Sequence, residues 1–221
     1  MILKNRLFER EEPSEEAKTI FIFCEGRKRE HQYFSYFEGI DSRIKLEVYK
    51  LNPHEDNSPL GLLKIAKECL LNNETNKNPK YDFRERDEVW LVFDIDPDKY
   101  DSRKPQIEQI IDEVNMLKNW RIARSNPCFE VWLYAHFSKA QPQSLPMLKC
   151  EDWKRLVNHI IPGGFDSRKH PIFISEAISN SKDFNEQYKH QIGSTEVYQI
   201  GESILDLIYF KIQQIRQGLG L

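Results

Sequence analysis

The chain has 221 residues, 39% of them hydrophobic and 30% charged, with 32 Lys and Arg against 35 Asp and Glu for a formal net charge of −3. This length supports one sizeable core, or one domain with a helical extension, and the content of aromatic residues excludes a disordered chain. A sum near zero gives no nucleic-acid footprint by itself, so the distribution of charge has to decide.

No apolar run approaches the ~20 residues of a membrane span. The opening "MILKNRLFEREEPSEEAK" lacks the apolar core and cleavage site of a signal peptide. A soluble, cytoplasmic protein is expected. Cys24, Cys69, Cys128 and Cys150 form no closely spaced pair along the chain. They read as reduced, buried thiols, with no disulfide framework and no zinc site.

Residues 1–18 are charged and read as a flexible arm. "TIFIFCEG" (19–26) is a β-branched and aromatic run stopped by Gly26, the pattern of a strand buried on both faces. A helix follows over "EHQYFSYFEGI", with Tyr33, Phe34, Phe37 and Ile40 on one side. "KLEVYKL" (45–51) alternates like a strand, and "PLGLLKIAKECLLNN" (59–73) reads as a helix with Pro59 in its first turn. "EVWLVFDID" (88–96) is the next strand, 104–119 a helix, and "WRIARS" (120–125) a short strand. "NPCFEVWLYAHF" (126–137) is expected to be a helix with Asn126 as N-cap and Pro127 at its first position.

Alternating strands and helices predict an α/β fold over 19–138 with a mostly parallel sheet of about four strands and flanking helices. After residue 138 the pattern changes. A loop over "AQPQSLPM" leads to helices near 150–161, 173–190 and 195–216, the last capped by Ser194 or Thr195. Residues 139–221 therefore read as a C-terminal helical subdomain packed on the same domain, with no strand expected.

The chemistry concentrates where strands end. Ligands of open parallel sheets bind at the carboxyl ends of the strands. Glu25 ends the first strand, and Asp94 and Asp96 end the third. Alternate strand residues face the same way, so Asp94 and Asp96 aim two carboxylates at one point. Carboxylates this close repel one another, and a divalent cation removes the penalty. Oxygen ligands without His or Cys favour Mg²⁺ or Mn²⁺. Asp98, in Asp-Pro-Asp, reads as a turn residue.

Glu130 lies in the first helical turn of its segment, where an acid also complements the helix dipole. His136, within the apolar stripe Phe129, Trp132, Leu133, His136 and Phe137, reads as a satisfied buried imidazole. Arg27, Lys28 and Arg29 follow Glu25-Gly26 and read as a phosphate clamp beside the metal. Arg168-Lys169-His170 reads as a solvated face.

These residues resemble a known family. "FIFCEG" followed by "VWLVFDID" looks like a Toprim domain. "CEGRKREHQYF", "DEVWLVFDIDPD", "SNPCFEVWLYAHF" and "GSTEVYQIGESIL" together resemble the RloB-like proteins, over about residues 19–210. The resemblance implies a Toprim-like fold and a Mg²⁺-dependent nuclease of anti-phage defence working with an ABC- or AAA-type ATPase partner. It implies Glu25 as metal ligand or general acid/base, Asp94 and Asp96 as metal ligands, Glu130 as a supporting acid and Glu30 as a family acid. It also matches Lys169 to a basic residue of the C-terminal half. Arg27-Lys28-Arg29 departs from the usual acidic start of that turn and adds positive charge.

The expected function is phosphodiester hydrolysis of DNA or RNA, with the metal held by Glu25, Asp94 and Asp96. Glu25 or Glu130 moves a proton, and Arg27, Lys28, Arg29 and Lys169 bind phosphate. A DxD phosphatase fits less well, because its aspartates belong on a first strand. The rival from another class is a non-catalytic scaffold that docks on the ATPase through the stripe Ile204–Ile215. Assembly with a second copy of the chain is left open.

Overall fold

The structure is a computed structural model and describes residues 7–74, 76–142 and 149–221. Strand β1 (Lys18–Cys24) turns Ile20, Ile22 and Cys24 to one side and Phe21 and Phe23 to the other, and all five are buried. This two-sided burial makes it a central strand. It pairs in parallel with β2 (Ile44–Tyr49) on one edge and with β3 (Glu88–Asp94) on the other. Strand β4 (Trp120–Asn126) continues the parallel sheet beyond β3.

Two helices, α2 (Pro59–Leu70) and α3 (Tyr100–Asn115), cover the face that carries Phe21, Phe23, Leu91 and Phe93. The opposite face is covered by α1 (Arg29–Phe34), α4 (Glu130–Ala135), α5 (Cys150–Ile160) and α6 (Ile174–Tyr188), together with the long α7 (Val197–Gly218). The α/β expectation holds, and the helical C-terminal part is one wall of the same core.

Several boundaries differ from the sequence reading. A fifth strand, β5 (Ser194–Thr195), pairs antiparallel with the end of β4, giving the order β2-β1-β3-β4-β5. Two residues are too few to show a period. The strand is fixed by a buried hydroxyl pair, Ser125 Oγ to Thr195 Oγ1 at 2.8 Å, and by Arg124, which forks onto Glu196 at 2.7 and 2.6 Å. Ser194 and Thr195 therefore belong to the sheet, and α7 starts after Glu196. Asn126 is the last residue of β4 rather than a helix cap, and α4 starts at Glu130 after a cis Asn126–Pro127 bond. Helix α3 begins at Tyr100, ahead of the expected 104, because the turn after Asp96 already winds as a short 3-10 helix.

Residues 7–17 of the expected flexible arm lie against the body. Phe8 meets Tyr36 edge-on at 5.4 Å, Ala17 is buried, and Glu11 ion-pairs with Lys211. The stripe offered as an ATPase docking face is core, since Ile204, Ile208 and Ile212 are fully buried. Most of the loop expected at 140–147 lies outside the described residues. Among the described residues, no helix is long and apolar enough to cross a membrane.

Candidate metal centre at the carboxyl end of the sheet

From β1 the chain goes to β2 on one side and later returns to β3 on the other. Connections that diverge in this way leave a crevice between the carboxyl ends of the two central strands. Glu25 stands at that point, its N–H bonded to the Val92 carbonyl at 2.8 Å. Glu25 Oε2 accepts the N–H of Asp94 at 3.2 Å. The crevice holds about 410 Å³ and is lined by Glu25, Gly26, Arg27, Glu30, Asn57 and Asp94.

Its electrostatics are unfavourable to the carboxylates. Burial, then the charges of Glu30, Glu25 and Glu130, push the Asp94 carboxyl well above the usual range. Burial, with Glu130 and Glu25 adding to it, brings Glu30 up to about 7. Four acids from three stretches of chain thus act on one another across a small space. Among the described residues, the cation bonded to one of them is Arg103, whose Nη1 lies 2.9 Å from Glu25 Oε1.

Glu30 depends on Gly26. A Cβ at residue 26 would lie 1.8–2.1 Å from the atoms of the Glu30 carboxyl group. The glycine of the Glu-Gly turn is needed for this close approach, since the acid in the first turn of α1 folds back over it.

The sequence-predicted residues do not all converge. Glu25 and Asp94 meet as expected, and Glu130, 7% exposed, is near enough for its charge to act on both Asp94 and Glu30. Asp96 lies past the end of β3, so strand alternation no longer governs it. Its Oδ1 accepts the N–H of Asp98 at 3.0 Å and caps the 3-10 turn Pro97–Lys99. Asp98 itself pairs with Lys149 at 2.9 Å on the surface.

The basic residues also separate. Arg27 lines the crevice and bonds the Glu55 carbonyl at 3.2 Å. Lys28 is exposed just before α1. Arg29 reaches toward the Phe165 carbonyl and lines a neighbouring cleft of about 690 Å³ with Gln32, Phe165 and Arg168. Lys169 is exposed beside Asp166 and His170, outside the acidic crevice. His136 is the satisfied core imidazole expected, between Tyr33 Oη at 3.0 Å and the Trp132 carbonyl at 2.9 Å. Burial lowers its pKa to about 3.

Arg103 was missed by the sequence reading. The available signal was a cation in the first turn of α3, where the helix dipole disfavours it unless an acid answers. The proximity of Cys128 and Cys150 was missed as well. The two are 22 residues apart in sequence, yet both sulfurs and a Glu130 oxygen lie within 4.8 Å of one another. Among the described residues, this is the set of three ligand atoms so close together, and Glu25, Asp94 and Asp96 do not form one.

The crevice nevertheless fits a hard divalent cation in kind. Its donors are carboxylate oxygens, and the raised values of Asp94 and Glu30 mark negative charge in excess of its partners. The residues that would hold the ion are Asp94 and Glu25 after release from Arg103.

The family model described as RloB-like protein matches residues 20–204. No curated protein and no solved structure matches the chain.

Proposed function

The chain belongs to the RloB-like family, and from its acidic crevice we propose that it is a Mg²⁺- or Mn²⁺-dependent nuclease of Toprim type acting in anti-phage defence. The observation that carries this reading is the burial of Asp94 with Glu25, Glu30 and Glu130 crowded on it at the switch between β1 and β3, which raises the Asp94 carboxyl well above its usual range. A fold does not keep four acids in such a place for stability, because each charge there costs free energy. When bound, the cation supplies charge neutralisation and polarises a phosphate oxygen.

The chain's own residues do the rest. Asp94 is the fixed anchor at the end of β3. Glu25 is shared between the Asp94 N–H and Arg103, and were Glu25 to serve as a metal ligand, the Arg103 guanidinium would be left available to a phosphate. A guanidinium at that distance is suited to a phosphate by its paired donors. Arg27 borders the same crevice and adds a second contact for the backbone of a nucleic acid. Glu30, with a proton affinity near neutrality, is poised to exchange a proton with water or the leaving oxygen. Glu130 backs both acids.

The test is cleavage of plasmid DNA and of tRNA by the purified chain, alone and with an ATPase partner, in Mg²⁺ and in Mn²⁺. Wild-type cleavage that vanishes in Asp94→Ala and in Glu25→Ala is expected. Equal cleavage by wild type and both variants overturns the reading.

A further inference from the structure

We propose that Cys128, Glu130 and Cys150 form a second cation site, for a thiophilic divalent ion such as zinc, next to the carboxylate crevice but chemically distinct from it. The inference goes beyond the proposed nuclease reading and does not rest on it.

Three elements converge to make the site. Cys128 lies in the bend after β4, Glu130 opens α4, and Cys150 opens α5. Cys128 is 2% exposed, Glu130 is 7% exposed, and Cys150 is half-buried. The three ligand atoms stand within 4.8 Å of one another, with Cys150 Sγ 3.7 Å from Glu130 Oε2. A tetrahedral zinc ion with bonds of about 2.3 Å to sulfur and about 2.0–2.2 Å to oxygen has ligand-to-ligand edges of roughly 3.5–3.8 Å. The side chains need only a small contraction to reach that geometry.

A second observation points the same way. Among the described residues, the one hydrogen bond to the Glu130 carboxylate comes from the Cys150 thiol, which is a weak donor. The charge of the exposed Lys154 also acts on Glu130 and on both thiols, but an ammonium held out in solvent is a weaker partner for a buried carboxylate than a directly bound cation. Two thiols packed on such a carboxylate are also poor core partners for it. As thiolates beside a metal ion, the same three groups become ligands, and the carboxylate's deficit disappears.

Ligand softness separates the two sites. Thiolates select zinc or cobalt, whereas an all-oxygen crevice selects magnesium or manganese. Glu130 lies between them, so an ion on the thiol side would fix the carboxylate that faces Asp94 and tie the start of α5 to the start of α4.

The test uses the full chain, freed of metal and kept reduced, titrated with Co²⁺. One equivalent is expected to give a thiolate-to-cobalt charge-transfer band and the visible bands of a tetrahedral ion. Zn²⁺ should displace it, and excess Mg²⁺ should not. Cys150→Ser, at a half-buried first helical position, is expected to remove most of the band and weaken zinc binding at least about tenfold. Asp94→Asn is expected to keep both. The wild-type spectrum decides even if a variant fails to fold. Absence of the charge-transfer band at saturating Co²⁺, or its persistence in both Cys128→Ser and Cys150→Ser, overturns the proposal.

Discussion

Strand β3 has acids at both of its ends, under opposite conditions. At the amino end, Asp87 is fully buried and accepts the N–H groups of Thr19 at 2.9 Å and Arg84 at 2.8 Å. Glu88 there bonds Lys18 at 2.7 Å and the Trp90 indole at 3.1 Å, with Arg121 at 3.6 Å. Burial pulls Glu88 upward, but the Lys18 and Trp90 hydrogen bonds outweigh it and hold its carboxyl below the usual range. At the carboxyl end, Asp94 and Glu30 are pushed the other way by burial and by the charges of neighbouring acids. Burial of a carboxylate is therefore no sign of a site by itself. The sign is burial without enough partners, since a folded chain tolerates that only where something else is to bind.

The largest effect that sharpens this contrast is expected at Asp94. Asp94→Asn should lower metal-dependent cleavage by on the order of a hundredfold or more, yet leave the metal-free protein more stable near neutral pH. The sign follows from linkage. The folded state binds the Asp94 proton more tightly than the unfolded state, so stability is lost as pH rises toward the folded value, and Asn carries no such loss. Chemical denaturation beside a cleavage assay measures both. A destabilised variant that still cuts would break the contrast.

Next in size is the pH dependence owed to Glu30. Its carboxyl titrates at about 7 in the fold against a reference of 4.5. The contribution is fully present below about pH 4.5 and is lost as pH rises through about 7, a loss of roughly 3 kcal/mol. Urea melts of the metal-free protein and of Glu30→Gln across that range isolate it. The wild-type curve should fall relative to the variant, and saturating Mg²⁺ should reduce the fall. Parallel curves would mean that Glu30 is not strained.

Glu88→Gln tests the amino end. It should cost about 1.5–3 kcal/mol, the value of hydrogen bonds to a charged group, with no change in Mg²⁺ binding by calorimetry. Altered Mg²⁺ binding would erase the distinction between the two ends. The smallest effect is expected for Gly26→Ala, destabilising by about 1 kcal/mol because the new methyl meets the end of the Glu30 side chain, which must swing aside. In a double-mutant cycle, Glu30→Ala should remove most of that cost. Strict additivity would show that Gly26 serves the backbone instead.

Much of the fold was legible because its signals are local. The apolar runs of β1 and β3 sit between polar breaks, and the stripes of α2 and α7 repeat with the helix. The end of β4 was misread because Asn-Pro before an apolar run has the form of a capped helix, whereas pairing with β3 and β5 keeps Asn126 in the sheet. Of the site, Glu25 and Asp94 were legible as acids that end buried strands. Asp96 looked equivalent on spacing alone, but β3 stops at Asp94 and Asp96 turns to cap the following helix.

The sequence by itself determined the layered α/β class, the strand ends that carry acid and the family, since each rests on residue order within short segments. Only the tertiary structure decided which charges face one another. The folded sheet brings Arg103 to Glu25, lays Glu30 over Gly26, and sets Cys150 beside Cys128 and Glu130. Those contacts join residues far apart in the chain, and the free energy of a charge depends on what surrounds it in space.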